Sequence, residues 1–213
     1  QGPESEHLVR LTGFMVLGLV AVMSANLIET VYISLIGTEQ LAALGFTFPI
    51  VMLLQSLTMG LSVGASSVVA RRVGAARMDQ AKIIISHSLL ITVLLITVLI
   101  VLVQPNLRDI FRLLGADGHV QSLAVGYMEI WFLGLPFFAV AMVGSSLMRA
   151  LGDVATPGYL MTLGAGLQIV LGPIFIFGFG DFSGLGLAGA AMAFVLARII
   201  GFFFYGYCLY RDR

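Results

Sequence analysis

Glu29 stands in an apolar stretch, Asn26-Leu27-Ile28-Glu29-Thr30-Val31-Tyr32, that carries no basic residue. An ionised side chain at the centre of a bilayer costs about 2.5–3.5 kcal/mol on insertion scales, so a partner, a water-filled cavity or a transported cation must offset it. A carboxyl there can exchange a proton or hold a cation. The competing reading is a protonated carboxyl that only hydrogen-bonds between helices. Asn26 lies at i−3 on the same helical face, and Thr30 and Tyr32 follow as polar neighbours. Two further charges fall at membrane depth. Glu129, between Tyr127 and Trp131, suits an interface carboxylate as well as a coupling group. Arg198 suits a structural cation that pairs within the bundle or snorkels to the surface. His87 reads as an interfacial residue. No His/Cys cluster suggests a metal, and no Ser/His/Asp set suggests a nucleophile. The glycine stretches GFGDFSG and GLGLAG join two apolar runs rather than a strand and a helix. An enzyme, a cofactor and a metal are therefore not expected.

The elements that must position these residues are membrane helices. Of 213 residues 59% are hydrophobic and only 10% charged, with mean hydropathy +1.04. Soluble domains carry about 25% charged residues, so this chain has too little polar surface to cover a globule in water. A net charge of zero leaves no basic stripe for nucleic acid, and the single cysteine, Cys208, excludes an intrachain disulfide. Crossing a bilayer takes about 20 apolar residues. Six runs qualify, at roughly 11–36, 41–70, 83–103, 120–147, 159–179 and 187–210. The fold class is an all-α polytopic membrane protein, a six-helix bundle over 8–213. Residues 1–7 are set aside as a tail whose Gln1-Gly2-Pro3 looks like a tag remnant.

Pro49, Pro136 and Pro173 fall inside runs, which suits bent helices around a cavity. Glycine and alanine crowd the fifth and sixth runs and recur at Gly60 and Gly64 of the second, predicting close helix contacts. Methionines 59, 142, 148, 161 and 192 read mostly as core filler, with a cavity lining as the alternative. The third run, rich in Ile, Leu and Val, is expected to face lipid. Residues 104–119 place Leu107, Ile110, Phe111 and Leu114 on one face of a short amphipathic helix. Arg10, Arg71, Arg72, Arg77, Lys82, Arg149, Arg211 and Arg213 share one side, against Arg108 and Arg112 on the other. Both termini are therefore expected in the cytoplasm, with the Gly37, Asp117 and Asp181 loops outside a plasma (inner) membrane.

Five stretches in order resemble the N-terminal half of the multidrug and toxic compound extrusion (MATE) family. They are NLIETVYISLIGTEQLAALGFTFPI (26–50), GLSVGASSVVARRVGAARMDQA (60–81), FRLLGADGHVQSLAVGYMEIWFLGLPF (111–137), MRALGDVATPGYLMTLGAGLQIVLGPIFIFGFG (148–180) and GLGLAGAAMAFVLAR (184–198). The resemblance implies one lobe of a twelve-helix transporter that exports organic cations or drugs against protons or sodium. It places Glu29 at the coupling position, where the family usually has aspartate. A substrate cavity lined by the first, second, fifth and sixth spans would follow. This sequence departs from the family pattern at Gln168, Gly172 and Phe194, which removes oxygen ligands for sodium. The expected coupling ion is a proton, carried by Glu29 as a lone acid. Asn26, Tyr32, Gln168, Pro173, Glu129 and Arg198 are candidate coupling or cavity residues. Expected partners are the bilayer, a small organic substrate and a second six-helix lobe, in the same chain or a second copy. A non-transporting module that acts only on assembly, and a lipid-linked precursor flippase, are the alternatives.

Overall fold

The computed structural model describes residues 4–179 and 182–211. Helices α1 (Glu4–Ile36), α2 (Thr38–Gly74), α3 (Met78–Val103), α4 (Leu107–Leu113), α5 (Gly118–Ala150), α6 (Ala155–Phe177) and α7 (Leu187–Arg211) follow one another. Between α6 and α7 a small hairpin pairs β1 (Gly178–Phe179) with β2 (Phe182–Ser183) antiparallel. Six spans among the described residues are long and apolar enough to cross a membrane. The expectations for Gln1, Gly2, Pro3, Asp181 and Arg213 fall outside the described residues, as do those for the side chains of Arg10, Cys208 and Arg211.

Several ends differ from the sequence expectation, for local reasons. Residues 4–7 are helical, so the tail set aside there is the start of α1. The fifth span begins at Ala155, before Tyr159, and the Asp153 carboxylate just ahead of it accepts the Thr156 N–H of its first turn at 3.1 Å. It ends at Phe177 rather than Phe179. Gly178 takes φ 86, a left-handed value that breaks the helix and feeds the hairpin. Pro49, Pro136 and Pro173 lie inside α2, α5 and α6 as expected.

The helices pack in a chain of neighbours: α1 on α6, α6 on α7, α7 on α5, and α5 on α2 and α3. The seam between α1 and α2 is thin by comparison. The core centres on α5, where Met128, Trp131, Phe132 and Leu135 are buried against Leu54, Ile96, Phe111 and Ala191. Leu90, Leu94, Val98 and Leu102 of α3 face outward, as a lipid-facing helix requires. On α4, Leu107 and Phe111 are buried while Leu114 is exposed, so this segment is anchored on α5 rather than merely laid on the membrane.

Small residues do close the α6–α7 and α5–α7 contacts. A Cβ on Gly134 would meet Val195 at 3.1 Å, and one on Gly189 would overlap the Phe175 carbonyl. The α2 glycines behave otherwise: Gly60 and Gly64 have nothing within 4 Å, so they do not mark a close helix contact among the described residues. Because the clash at Gly189 is with backbone, Gly189→Ala is expected to lower stability by about 1–3 kcal/mol, the range for overpacking. A melting curve in detergent matching that of the unmodified protein would contradict this.

At the end of the bundle bearing the hairpin, the Gln40 side-chain oxygen accepts the Leu187 N–H at 3.1 Å. This ties the α1–α2 turn to the start of α7. The opposite end carries Arg71, Arg72, Arg77 and Lys82, and is called the basic side below.

Candidate functional site

Three helices each deliver one polar side chain to the same region. At about 1.5 Å per residue from the hairpin-side helix ends, Glu29 lies about 10 Å in, Gln168 about 14 Å and Arg198 about 16 Å. Neighbours α1–α6 and α6–α7 are in contact, so this stagger becomes a line of touching groups. The Gln168 Nε2 amide donates to Glu29 Oε2 at 2.5 Å. The Gln168 carbonyl oxygen accepts from Arg198 Nη2 at 3.5 Å. A side-chain amide suits this place because one end donates to a carboxylate and the other accepts from a guanidinium. Gln168 is buried and bonds to both side chains.

Aromatic rings hold the cation from the other side. The Arg198 guanidinium lies 4.8 Å from the Phe194 ring centre and 5.3 Å from that of Phe138. Such contacts contribute about 0.5–2 kcal/mol each. Phe194 in turn stacks on Trp131 at 5.3 Å with the planes 19° apart. Gly164 lies against the guanidinium: a Cβ there would sit 3.5 Å from Nη1, an ordinary contact. Arg198 Nε is buried with no hydrogen-bond partner among the described residues.

Glu29 is the one acid of this cluster among the described residues, and Arg198 pairs within the bundle through the Gln168 amide. The departures from the family pattern acquire physical content here. Phe194 is the platform under Arg198. Gly172 is covered by the Tyr32 ring, whose carbons would lie 3.4 Å from a Cβ at that position, and Tyr32 meets Phe177 edge to face at 6.0 Å.

The remaining candidates separate. Glu129 is exposed and lines a hollow with Gln104 and Arg108, apart from the Glu29 cluster. Asn26 is exposed, and its backbone carbonyl accepts the Thr30 hydroxyl at 2.9 Å, so Thr30 bonds within its own helix rather than to Glu29. Pro173 is half-buried in α6, on the hairpin side of Gln168. His87 is exposed, in keeping with an interfacial residue. Tyr127 and Trp131, read above as interface residues, are instead 6% and 2% exposed in the core. Phe138 and the role of Gly164 beside Arg198 carry no mark along the chain. For Phe138 the signal is chemical alone: a ring able to cover a guanidinium.

A cavity of about 210 Å³ opens on the basic side of Arg198. Val22 of α1, Phe138, Met142 and Ser145 of α5, Met161 of α6 and Arg198 of α7 form its walls. The second span does not contribute to this wall; the fourth, α5, takes its place because it is α5 that packs on α7. Met142 and Met161 are therefore cavity residues rather than filler, while Met59 points outward. The cluster holds one acid able to carry a proton, one fixed cation, and an apolar chamber beside them.

Residues 15–174 match the family profile described as MatE. A FAD transporter of Shewanella oneidensis is 35% identical over 193 residues, covering 91% of this chain and 43% of that protein. The multidrug export protein MepA of Staphylococcus aureus is 26% identical over 168 residues, covering 79% of this chain and 36% of that protein. A crystallised MATE point mutant superimposes with a TM-score of 0.91 at 34% identity, covering 100% of this chain and 47% of that one. The chain spans less than half the length of these relatives.

Proposed function

The chain belongs to the MatE family of membrane transporters, and on that premise we propose that it is one lobe of a secondary transporter that exports organic cations or drugs in exchange for protons. Glu29 is the proton carrier. The observation that supports this is the Gln168 bridge between Glu29 and Arg198. With Glu29 ionised, the pair sums to zero charge and the amide satisfies both ends. When Glu29 takes a proton, Arg198 remains as an uncompensated positive charge. A second unit charge about 10 Å away, at an effective dielectric of about 20, is then repelled by about 1.7 kcal/mol, roughly a 15-fold loss of occupancy. Proton entry therefore expels an organic cation from the neighbouring chamber without any direct competition for one oxygen.

Rearrangement of α1 and α6, with Pro173 as a bend, would turn that expulsion into release on the hairpin side. A moving repeat needs another to move against, so the working unit includes a second six-helix lobe, in the same chain or a second copy. The excess of arginine and lysine on the basic side supports cytoplasmic termini in an inner membrane. Adding ethidium to the purified protein in weakly buffered detergent is expected to acidify the medium, because cation binding favours the ionised carboxyl. Ethidium binding without proton release would overturn the exchange.

A further inference from the structure

We propose that the cavity beside Arg198 also binds an aromatic molecule bearing a carboxylate or phosphate, and that Arg198 passes from Glu29 to that anion when Glu29 is protonated. The first part stands on the cavity itself; the second rests on proton exchange at Glu29. A guanidinium presents its N–H donors as a rigid fork suited to a planar anion. At Arg198 this fork is under-used. Nη2 makes one long bond of 3.5 Å to Gln168, and the buried Nε has no partner among the described residues. The cavity reaches Arg198 between Phe138 and Met142 on α5 and Met161 on α6, with the Ser145 hydroxyl on the wall. A ring that lies among these side chains brings its acidic substituent to the fork. At about 210 Å³ the chamber is smaller than the roughly 300–1,000 Å³ of drug-sized pockets, so it holds a one- or two-ring acidic group rather than a large molecule whole.

The charge balance sets the sign of the coupling. Among the described residues, Arg198 is the one charged residue on the cavity wall. The groups that face it are Glu29 from α1 and Gln168 from α6, with the buried Tyr127 phenol of α5 near Glu29. A bound anion and the Glu29 carboxylate compete for one guanidinium. Protonation of Glu29 removes that competitor, so proton and anion favour one another, whereas proton and cation exclude one another. The same residues would therefore exchange cations for protons but take acidic aromatics together with them.

Calorimetric titration of the purified protein with naphthoate, and with naphthalenemethanol as its neutral isostere, tests this. Naphthoate is expected to bind roughly tenfold more tightly than the alcohol, and more tightly at acidic than at alkaline pH. Glu29→Gln should strengthen naphthoate binding and remove its pH dependence. Arg198→Gln should weaken naphthoate about tenfold while leaving the alcohol within about twofold. Equal affinity of the unmodified protein for acid and alcohol would overturn the anion site, whether or not Arg198→Gln folds. Unchanged naphthoate affinity in Glu29→Gln would overturn the transfer of Arg198. Displacement of naphthoate by phosphatidylglycerol would replace the aromatic cargo with a lipid headgroup. None of these failures touches ethidium-driven proton release, which tests the exchange by itself.

Discussion

Replacing Glu29 with glutamine is expected to abolish proton-driven export while leaving the bundle folded. Glutamine keeps the length of the side chain and can still meet the Gln168 amide, so the α1–α6 contact loses little. It cannot carry a proton, and it leaves Arg198 permanently without a counter-charge. By the charge arithmetic above, the chamber would then disfavour an organic cation by roughly 15-fold at every pH, and the cycle would lose its driving step. The measurement is ethidium efflux from proteoliposomes under a pH gradient, with the second lobe present. Circular dichroism and detergent melting serve as the folding control. Undiminished gradient-driven efflux in Glu29→Gln would end the proposal that this carboxyl couples transport.

Gln168→Leu is the second large effect. Leucine fills a similar volume but can neither donate to Glu29 nor accept from Arg198. Hydrogen bonds to charged groups contribute about 1.5–3 kcal/mol each, and both would be lost in a buried place. A drop in melting temperature and a loss of pH-dependent binding should appear together. Gln168→Asn provides the informative comparison: it restores an amide one methylene shorter, which cannot span both partners. It should recover part of the stability and little of the pH dependence. Wild-type pH dependence in Gln168→Leu would show that Glu29 and Arg198 act without the bridge.

Both predictions turn on contacts that were only half visible along the chain. Glu29 stood out because a carboxylate in an apolar run carries a cost wherever the helix packs. Along the chain Gln168 stands out only as a departure from a family pattern, and Arg198 only as a cation in an apolar helix. That they meet depends on α6 lying between α1 and α7, a matter of packing between residues 139 positions apart. Glu129 falls at a depth along its span comparable to that of Glu29, yet it lies on another face.

The amino-acid sequence by itself determined the number of spans, the prolines within them, the side that carries the basic residues and the identity of the buried acid. Each depends on hydropathy or charge at a point along the chain, and the membrane reads those locally. Only the tertiary structure decided which face of each span meets protein. Tyr127 and Trp131 turned inward, and Gly60 and Gly64 stayed open, against expectation. The physical reason is that lipid and protein interior are similarly apolar, so a spanning helix shows no polar stripe to mark its outer face. Rings, glycines and methionines then read alike until the neighbouring helix is in place. It is that neighbour that turns Glu29 from an isolated charge into one end of a bridge to Arg198.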